Sequence, residues 1–199
     1  MKKYIKYIVF IGLIIILVVG LNWPTNNEVI NVEMSIKDYG KITLELDKEN
    51  APITVDNFVK LVNSKFYDGL TFHRIIDGFM IQGGDPNKDG TGGSTETIKG
   101  EFKNNGVNNT ISHKRGVISM ARSSDANSAS SQFFIMHKDN TNLDGSYAAF
   151  GHVISGMDVV DTIVKNTSTY GDDNGIVPVD KQPVIEYIKI IKNEKTTEK

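Results

Sequence analysis

The chain contains no cysteine. That excludes disulfides, thiolate zinc sites, thiol catalysis and lipid attachment through a lipobox cysteine. It suits an exported protein that avoids stray oxidation. The histidines, His73, His113, His137 and His152, are dispersed and form no His-x-x-x-His pair, so no metal is expected. No Gly-x-Ser-x-Gly elbow occurs, which leaves hydrolase chemistry little support. The glycines at 90, 92 and 93 have no Gly-Lys-Ser/Thr and no strand-to-helix setting, so they make no phosphate loop. Excess basic charge is also missing. The formal net charge is −2, and without Lys2, Lys3 and Lys6 the basic count falls from 22 to 19 against 24 acidic residues. No basic face is evident, and nucleic acid is not an expected partner.

What is present begins with an apolar run. Lys2, Lys3 and Lys6 precede Tyr7 to Leu21, and no charge occurs between Lys6 and Glu28. As a helix, Tyr7 to Trp23 would span roughly 25 Å at about 1.5 Å per residue, near the thin end of a bilayer core. The run is apolar all round, which calls for lipid rather than a small domain's core. There is no Ala-x-Ala cleavage site, and Trp23 stands where an interfacial aromatic would. Residues 1–23 are therefore read as an uncleaved signal-anchor, a transmembrane helix of a bacterial cell membrane with the following domain extracytoplasmic. The alternative is a signal peptide cleaved near Gly20, giving a secreted protein. Residues 24–30 read as a linker, 31–192 as one domain and 193–199 as a charged tail.

Within the domain, Val32–Ile36 and Lys41–Leu46 alternate apolar with polar, the period of half-buried strands, and Asp38-Tyr39-Gly40 joins them. Pro52 suits the first turn of a helix running to Ser64, with Val55, Phe58, Val59 and Val62 as its apolar stripe. Further strands are expected at Leu70–Ile75, Gly116–Ala121, Gln132–Met136, Tyr147–Val153 and Pro183–Ile191. A second helix is expected at Gly156–Lys165, with Met157, Val160, Ile163 and Val164 inward. Many short strands with only two helices argue for a mainly β fold, a closed antiparallel barrel capped by helices. The turn-rich segment 83–100 fits a functional or mobile loop. Asp85, Asn87, Asp89, Gly90 and Glu96 match the spacing of a calcium-binding EF-hand loop. The flanks carry Gly83-Gly84 and Lys99-Gly100 instead of helices, so the match is read as a coincidence of turn residues.

Phe72 to Pro86 crowds one guanidinium, one carboxamide and six large apolar side chains between bends, with no paired carboxylate and no nucleophile. Such a segment could build a greasy pocket faced by one cation and one neutral hydrogen-bonding group. That suits a bond to be polarised and desolvated rather than broken. Together with Ser119-Met-Ala-Arg122 through Ser131-Gln-Phe-Phe134 and Leu143-Asp-Gly-Ser-Tyr-Ala-Ala-Phe-Gly151, the domain resembles the cyclophilin family of peptidyl-prolyl cis–trans isomerases, in particular its bacterial branch. The resemblance runs from about Val32 to Ile191. It implies an eight-stranded antiparallel barrel with two helices, a proline-containing polypeptide as substrate and no cofactor.

By the same resemblance, Arg74 matches the catalytic arginine, with Phe79, Met80 and Gln82 completing the catalytic set. His73, Ala121, Arg122, Ser123, Gln132, Phe134, Leu143 and Tyr147 match the substrate-binding set. The chain departs from many eukaryotic relatives at Asn142, where they have tryptophan, at Tyr147, where histidine is frequent, and at Arg122, where asparagine is frequent. Weak or absent cyclosporin binding is therefore expected, as is a monomer. The alternative reading is a non-catalytic chaperone or peptide-binding module of the same fold.

Overall fold

The computed structural model describes residues 29–191; the expected N-terminal anchor and charged tail lie outside the described residues. Among the described residues, no helix is long and apolar enough to cross a membrane. The elements are β1 (Ile30–Ile36), β2 (Gly40–Leu46), α1 (Pro52–Asn63), β3 (Phe72–Ile76), β4 (Met80–Gly83), β5 (Val117–Met120), β6 (Phe133–Met136), β7 (Ala149–Ser155), α2 (Met157–Thr167) and β8 (Ile185–Ile191). All strand pairs are antiparallel, in the order β3-β4-β6-β5-β7-β2-β1-β8.

The barrel is not closed, contrary to the expectation from the sequence. β3 and β8 end the sheet, which is a half-barrel. Pro183 contributes no N–H near this seam, and no ladder forms along it. Backbone bonds from Gly69 N to Ile185 O, Ile185 N to Leu70 O and Phe72 N to Pro183 O tie the edges together locally, beside one Thr71–Val184 bridge. Buried Gln182 adds a stitch: its Oε1 accepts from Thr71 Oγ1, while its Nε2 donates to Lys88 O and Val177 O. β4 was not expected as a separate strand. Four residues between a turn and a glycine-rich loop are too few to display a period.

The interior follows the pleat. Val32, Met34, Ile36, Ile42, Leu44 and Leu46 are buried, alternating with Glu33, Thr43 and Glu45, which reach solvent, and with Ser35, whose buried hydroxyl donates to Glu186. α1 places Phe58 at the centre, against Tyr67, Phe133 and Phe150 at centroid distances of 5.1, 5.7 and 5.3 Å. Leu61 is buried where the sequence reading put Val59, which packs at the margin. α2 rests on β2 and β3. A second, smaller apolar cluster is separate from this core: Met80, Val117, Phe134, Met136 and Ala149, with Phe79, Leu143 and Tyr147 packed on it. Alternation along β4 and β6 explains it. Ile81, Phe133 and Ile135 point to the main core, while Met80, Phe134 and Met136 point to the opposite face. A sheet with an apolar patch on its outer face has something there to cover or to bind.

Candidate active site

Arg74 reaches that outer face because β3 carries one residue too many. Phe72 pairs with Gly83 and Arg74 with Gln82, so two steps along β3 match one along β4. The extra residue is His73. Strict alternation would put Arg74 on the same side as Phe72, in the core, and the bulge turns it outward beside Gln82. The His73 ring is fully buried beneath the groove, and both ring nitrogens lack a hydrogen-bond partner among the described residues.

The guanidinium of Arg74 is held by neutral acceptors. Nε donates to Asn174 O at 2.7 Å, and Nη1 to Gln82 Oε1 at 3.3 Å. A directional chain continues from there. Gln82 Nε2 donates to Gln132 Oε1 at 2.8 Å, and Gln132 Nε2 donates to Gly90 O and Gly92 O at 3.0 and 2.7 Å. Each carboxamide has its orientation fixed by the next. Asn174 O is aimed by a turn in which Asp172 Oδ1 accepts from Asn174 N and Ile176 N, both at 2.9 Å. Gly175 in that turn has φ +80°, and any Cβ there would overlap Ile76. Burial pulls the pKa of Arg74 below its ordinary value, opposed by Tyr147 and Asp172, and the group remains a cation.

Beside Arg74 lies a groove of about 430 Å³ lined by Phe79, Met80, Phe134, Leu143 and Tyr147, with Gln82, Ala121 and Arg122 at its margin. Phe134 and Tyr147 meet edge to face at 5.8 Å. Under Phe134 stands a network the sequence reading missed. His113 stacks on its ring at 6.0 Å, with Nδ1 2.8 Å from Asp144 Oδ1 and Nε2 3.0 Å from Ser119 Oγ. The trio has the composition of a hydrolytic triad, but Ser119 and His113 are fully buried. It fixes the floor under Phe134 and the turn carrying Leu143. Only assembled pairing reveals it, since Ser119 lies opposite Phe134 in the β5–β6 register.

A second hollow of about 360 Å³ adjoins the first and shares Gln82, Gly90, Ala121 and Arg122. Its remaining walls are Thr91, Gly92, Gly93, Ser94, Ser123, Ser128, Ser130 and Gln132. All the residues matched from the sequence therefore gather on one face, with His73 below it. Asp172, Asn174, Ile176 and Gly90 were not anticipated, because they act through backbone or turn geometry. The calcium-like spacing has another use. Asp85 accepts from the backbone N–H groups of Asn87, Asp89 and Gly90 at 2.8, 3.1 and 2.6 Å, and Glu96 pairs with Lys60 at 2.6 Å.

Comparison with known proteins finds matches across most of the chain. The family model described as cyclophilin type peptidyl-prolyl cis-trans isomerase/CLD matches residues 31–194. Peptidyl-prolyl cis-trans isomerase A of Dickeya dadantii is 44% identical over 159 residues, 77% of this chain and 80% of that protein. Peptidyl-prolyl cis-trans isomerase B of Bacillus subtilis is 47% identical over 123 residues, 62% of this chain and 82% of that protein. The crystal structure of a Cryptosporidium parvum cyclophilin type isomerase in the presence of the dipeptide Ala-Pro aligns with a TM-score of 0.72 at 32% identity. It covers 82% of this chain and 99% of its own.

The two buried histidines set a pH dependence of stability. Burial lowers the pKa of both His73 and His113 below the ordinary 6.5, and for His113 the Asp144 carboxylate opposes this without reversing it. The unfolded chain therefore binds protons that the fold excludes, so stability is complete above about pH 6.5 and is lost as pH falls below it. Asp144, whose pKa is lowered, adds a loss only near and below its ordinary 3.8. Urea denaturation of the domain should show a lower unfolding free energy at pH 5.5 than at pH 7.5, with a slope of at most about 1.4 kcal/mol per pH unit for each excluded proton. A flat profile would show that the histidines accept protons in the fold.

Proposed function

Because the chain belongs to the cyclophilin-type peptidyl-prolyl cis–trans isomerases, we propose that its groove is the place where an X–Pro bond is turned. The protein is a peptidyl-prolyl cis–trans isomerase. Rotation about X–Pro faces about 18–20 kcal/mol because the amide is conjugated, although the two isomers differ little in energy. A catalyst must favour the twisted amide, whose nitrogen lone pair is localised. The observation carrying this reading is Arg74: a cation in a partly dry groove with apolar walls, held by two neutral oxygens, with no acceptor for Nη2 among the described residues.

Phe79, Met80, Phe134 and Leu143 would hold the proline ring. Arg74 would donate to the localised lone pair or to the prolyl carbonyl. Gln82 aims Arg74, and the backbone near Ala121 and Arg122 would hold the flanking chain while the other side rotates. A donor aimed in advance costs no reorganisation when the amide twists, and it favours the transition state over either planar form. No bond is broken, so neither a nucleophile nor a cofactor has a step to perform.

Arg74→Ala should lower kcat/KM for a short proline peptide by at least about tenfold, since a charge-assisted hydrogen bond to the transition state contributes roughly 1.5–3 kcal/mol. A protease-coupled assay measures it, with far-UV circular dichroism as the check on folding. Near-normal turnover by a folded variant would remove Arg74 from the mechanism. A wild-type domain that bound such peptides without turning them over would favour the binding-module reading.

Cyclosporin should inhibit only weakly. Asn142 is exposed in a 3-10 turn with its N–H committed to Asn140 Oδ1, and it offers the rim little apolar area. An indole there would add about 100 Å² of contact, on the order of 2–3 kcal/mol at roughly 25 cal/mol per Å². Asn142→Trp should tighten inhibition tens- to a hundredfold. Nanomolar inhibition of the unmodified protein would defeat this reading.

The setting we propose is the outer side of a bacterial cell membrane, with residues 1–23 as the anchor and exported chains as clients, since slow proline steps limit folding there. The basis is the sequence alone: three lysines, an apolar run and Trp23. Edman sequencing of the membrane-bound protein should find an intact N-terminus. A mature chain starting near Leu21 would replace the anchor with cleavage.

A further inference from the structure

The chain's arginines are Arg74, Arg115 and Arg122, and lysine supplies all the remaining basic charge. Arg115 is committed to Asp161 through two parallel bonds of 2.8 Å. The other two both line the groove, and among the described residues neither forms a salt bridge. Arg122 is the more unusual, since it stands where the two hollows meet and borders both.

Its guanidinium is fixed on three sides. Its Cζ lies over the Phe102 ring, 5.1 Å from the centroid, and over the Tyr147 ring at 4.8 Å. Nε donates to Ser146 O at 2.9 Å and Nη1 to Ser123 O at 2.8 Å. Nη2 has no acceptor among the described residues. A cation clamped by two rings and neutral carbonyls has already lost its rotamer freedom, so a ligand need not supply that ordering. Two of the departures noted in the sequence, at Arg122 and Tyr147, are thus one device, the tyrosine serving as a plate for the arginine.

The surroundings select for sign. Among the described residues, no Asp or Glu lines either hollow. The carboxylates near the lining residues in sequence are bonded elsewhere: Asp89 by Thr91, Glu96 by Lys60, Asp125 by the amide of Asn127, Asp144 by Ser112 and His113, and Asp172 by the amides of Asn174 and Ile176. The second hollow is lined by the hydroxyls of Thr91, Ser94, Ser123, Ser128 and Ser130, but those of Thr91, Ser94, Ser123 and Ser128 already donate to Asp89 Oδ1, Glu96 O, Ser128 Oγ and Asp125 O, so the attraction for an anion comes from Arg122. A chain whose net charge is −2 thus carries a local cationic slot at its groove.

We propose that Arg122 is a specificity-determining residue that makes this isomerase prefer X–Pro segments with an Asp or Glu side chain close to the proline. The inference rests on the isomerase reading and names the substrate class of that same groove. The proline ring occupies the apolar hollow, and the flanking chain crosses Arg122 into the hydroxyl-lined one. There a carboxylate meets Nη2 without displacing any partner.

The test is direct exchange NMR on short peptides with Glu, Gln or Lys at each of the two positions on either side of proline. No protease is then needed to report the rate. At low ionic strength, Glu should exceed Lys in kcat/KM by about three- to tenfold at one or more of these positions, with Gln between, as befits a preorganised but solvent-accessible ion pair. The ratio should fall toward one in about 0.5 M salt and in Arg122→Gln, and Arg122→Lys should restore part of it. A Glu-to-Lys ratio near one at every position, or a preference that survives Arg122→Gln, would overturn the proposal. Absence of turnover for every peptide would instead overturn the activity itself, and the proposal with it.

Discussion

A cation that is to act on a neutral amide must be held in place without being neutralised. The surroundings of Arg74 meet that constraint. A carboxylate at hydrogen-bond distance would fix the guanidinium equally well and would compete with the substrate for its donors. The fold uses a backbone carbonyl and a carboxamide instead. Neutral holders are weaker, so each has its own support. The carbonyl of Asn174 belongs to a turn tied by Asp172, and the carboxamide of Gln82 ends a chain of amides anchored on Gly90 and Gly92. The acidic group in this arrangement works one step removed, on backbone N–H groups.

The sheet converts that requirement into register. Arg74 lies opposite Gln82, Gln82 opposite Phe134, and Phe134 opposite Ser119. One row across four strands therefore carries the cation, its orienting amide, the aromatic floor and the hydroxyl that leads to the prop beneath. The same pleat sends Ile75, Ile81, Phe133 and Ile135 into the main core. Packing on one face thus holds the chemistry on the other.

Much of this was legible in the sequence. β1 and β2 alternate cleanly over seven residues each, and α1 opens on Pro52 and shows its stripe. The groove residues were legible as a set through resemblance, because three segments occur together. What stayed hidden has physical causes. Simple alternation from Phe72 puts Arg74 in the core, and only the bulge at His73 reverses it. β4 is too short for its period to register. The open seam depends on Pro183 and on long-range stitches by Gln182, which no local pattern encodes. The prop of His113, Ser119 and Asp144 joins residues whose relation exists only after the strands pair. The clamp on Arg122 joins Phe102, Arg122 and Tyr147 from three separate loops.

β1 and β8 lie side by side, and Asn31 faces Ile191 across that pair. The two ends of the domain therefore meet within the spacing of neighbouring strands, about 5 Å. Such a unit is portable. It could be spliced into a surface loop of a host protein, or tethered at one end or at both, with almost no gap to span and no change to the strands that carry the groove. Orientation of the groove toward its clients would then be a property of the connecting chain alone.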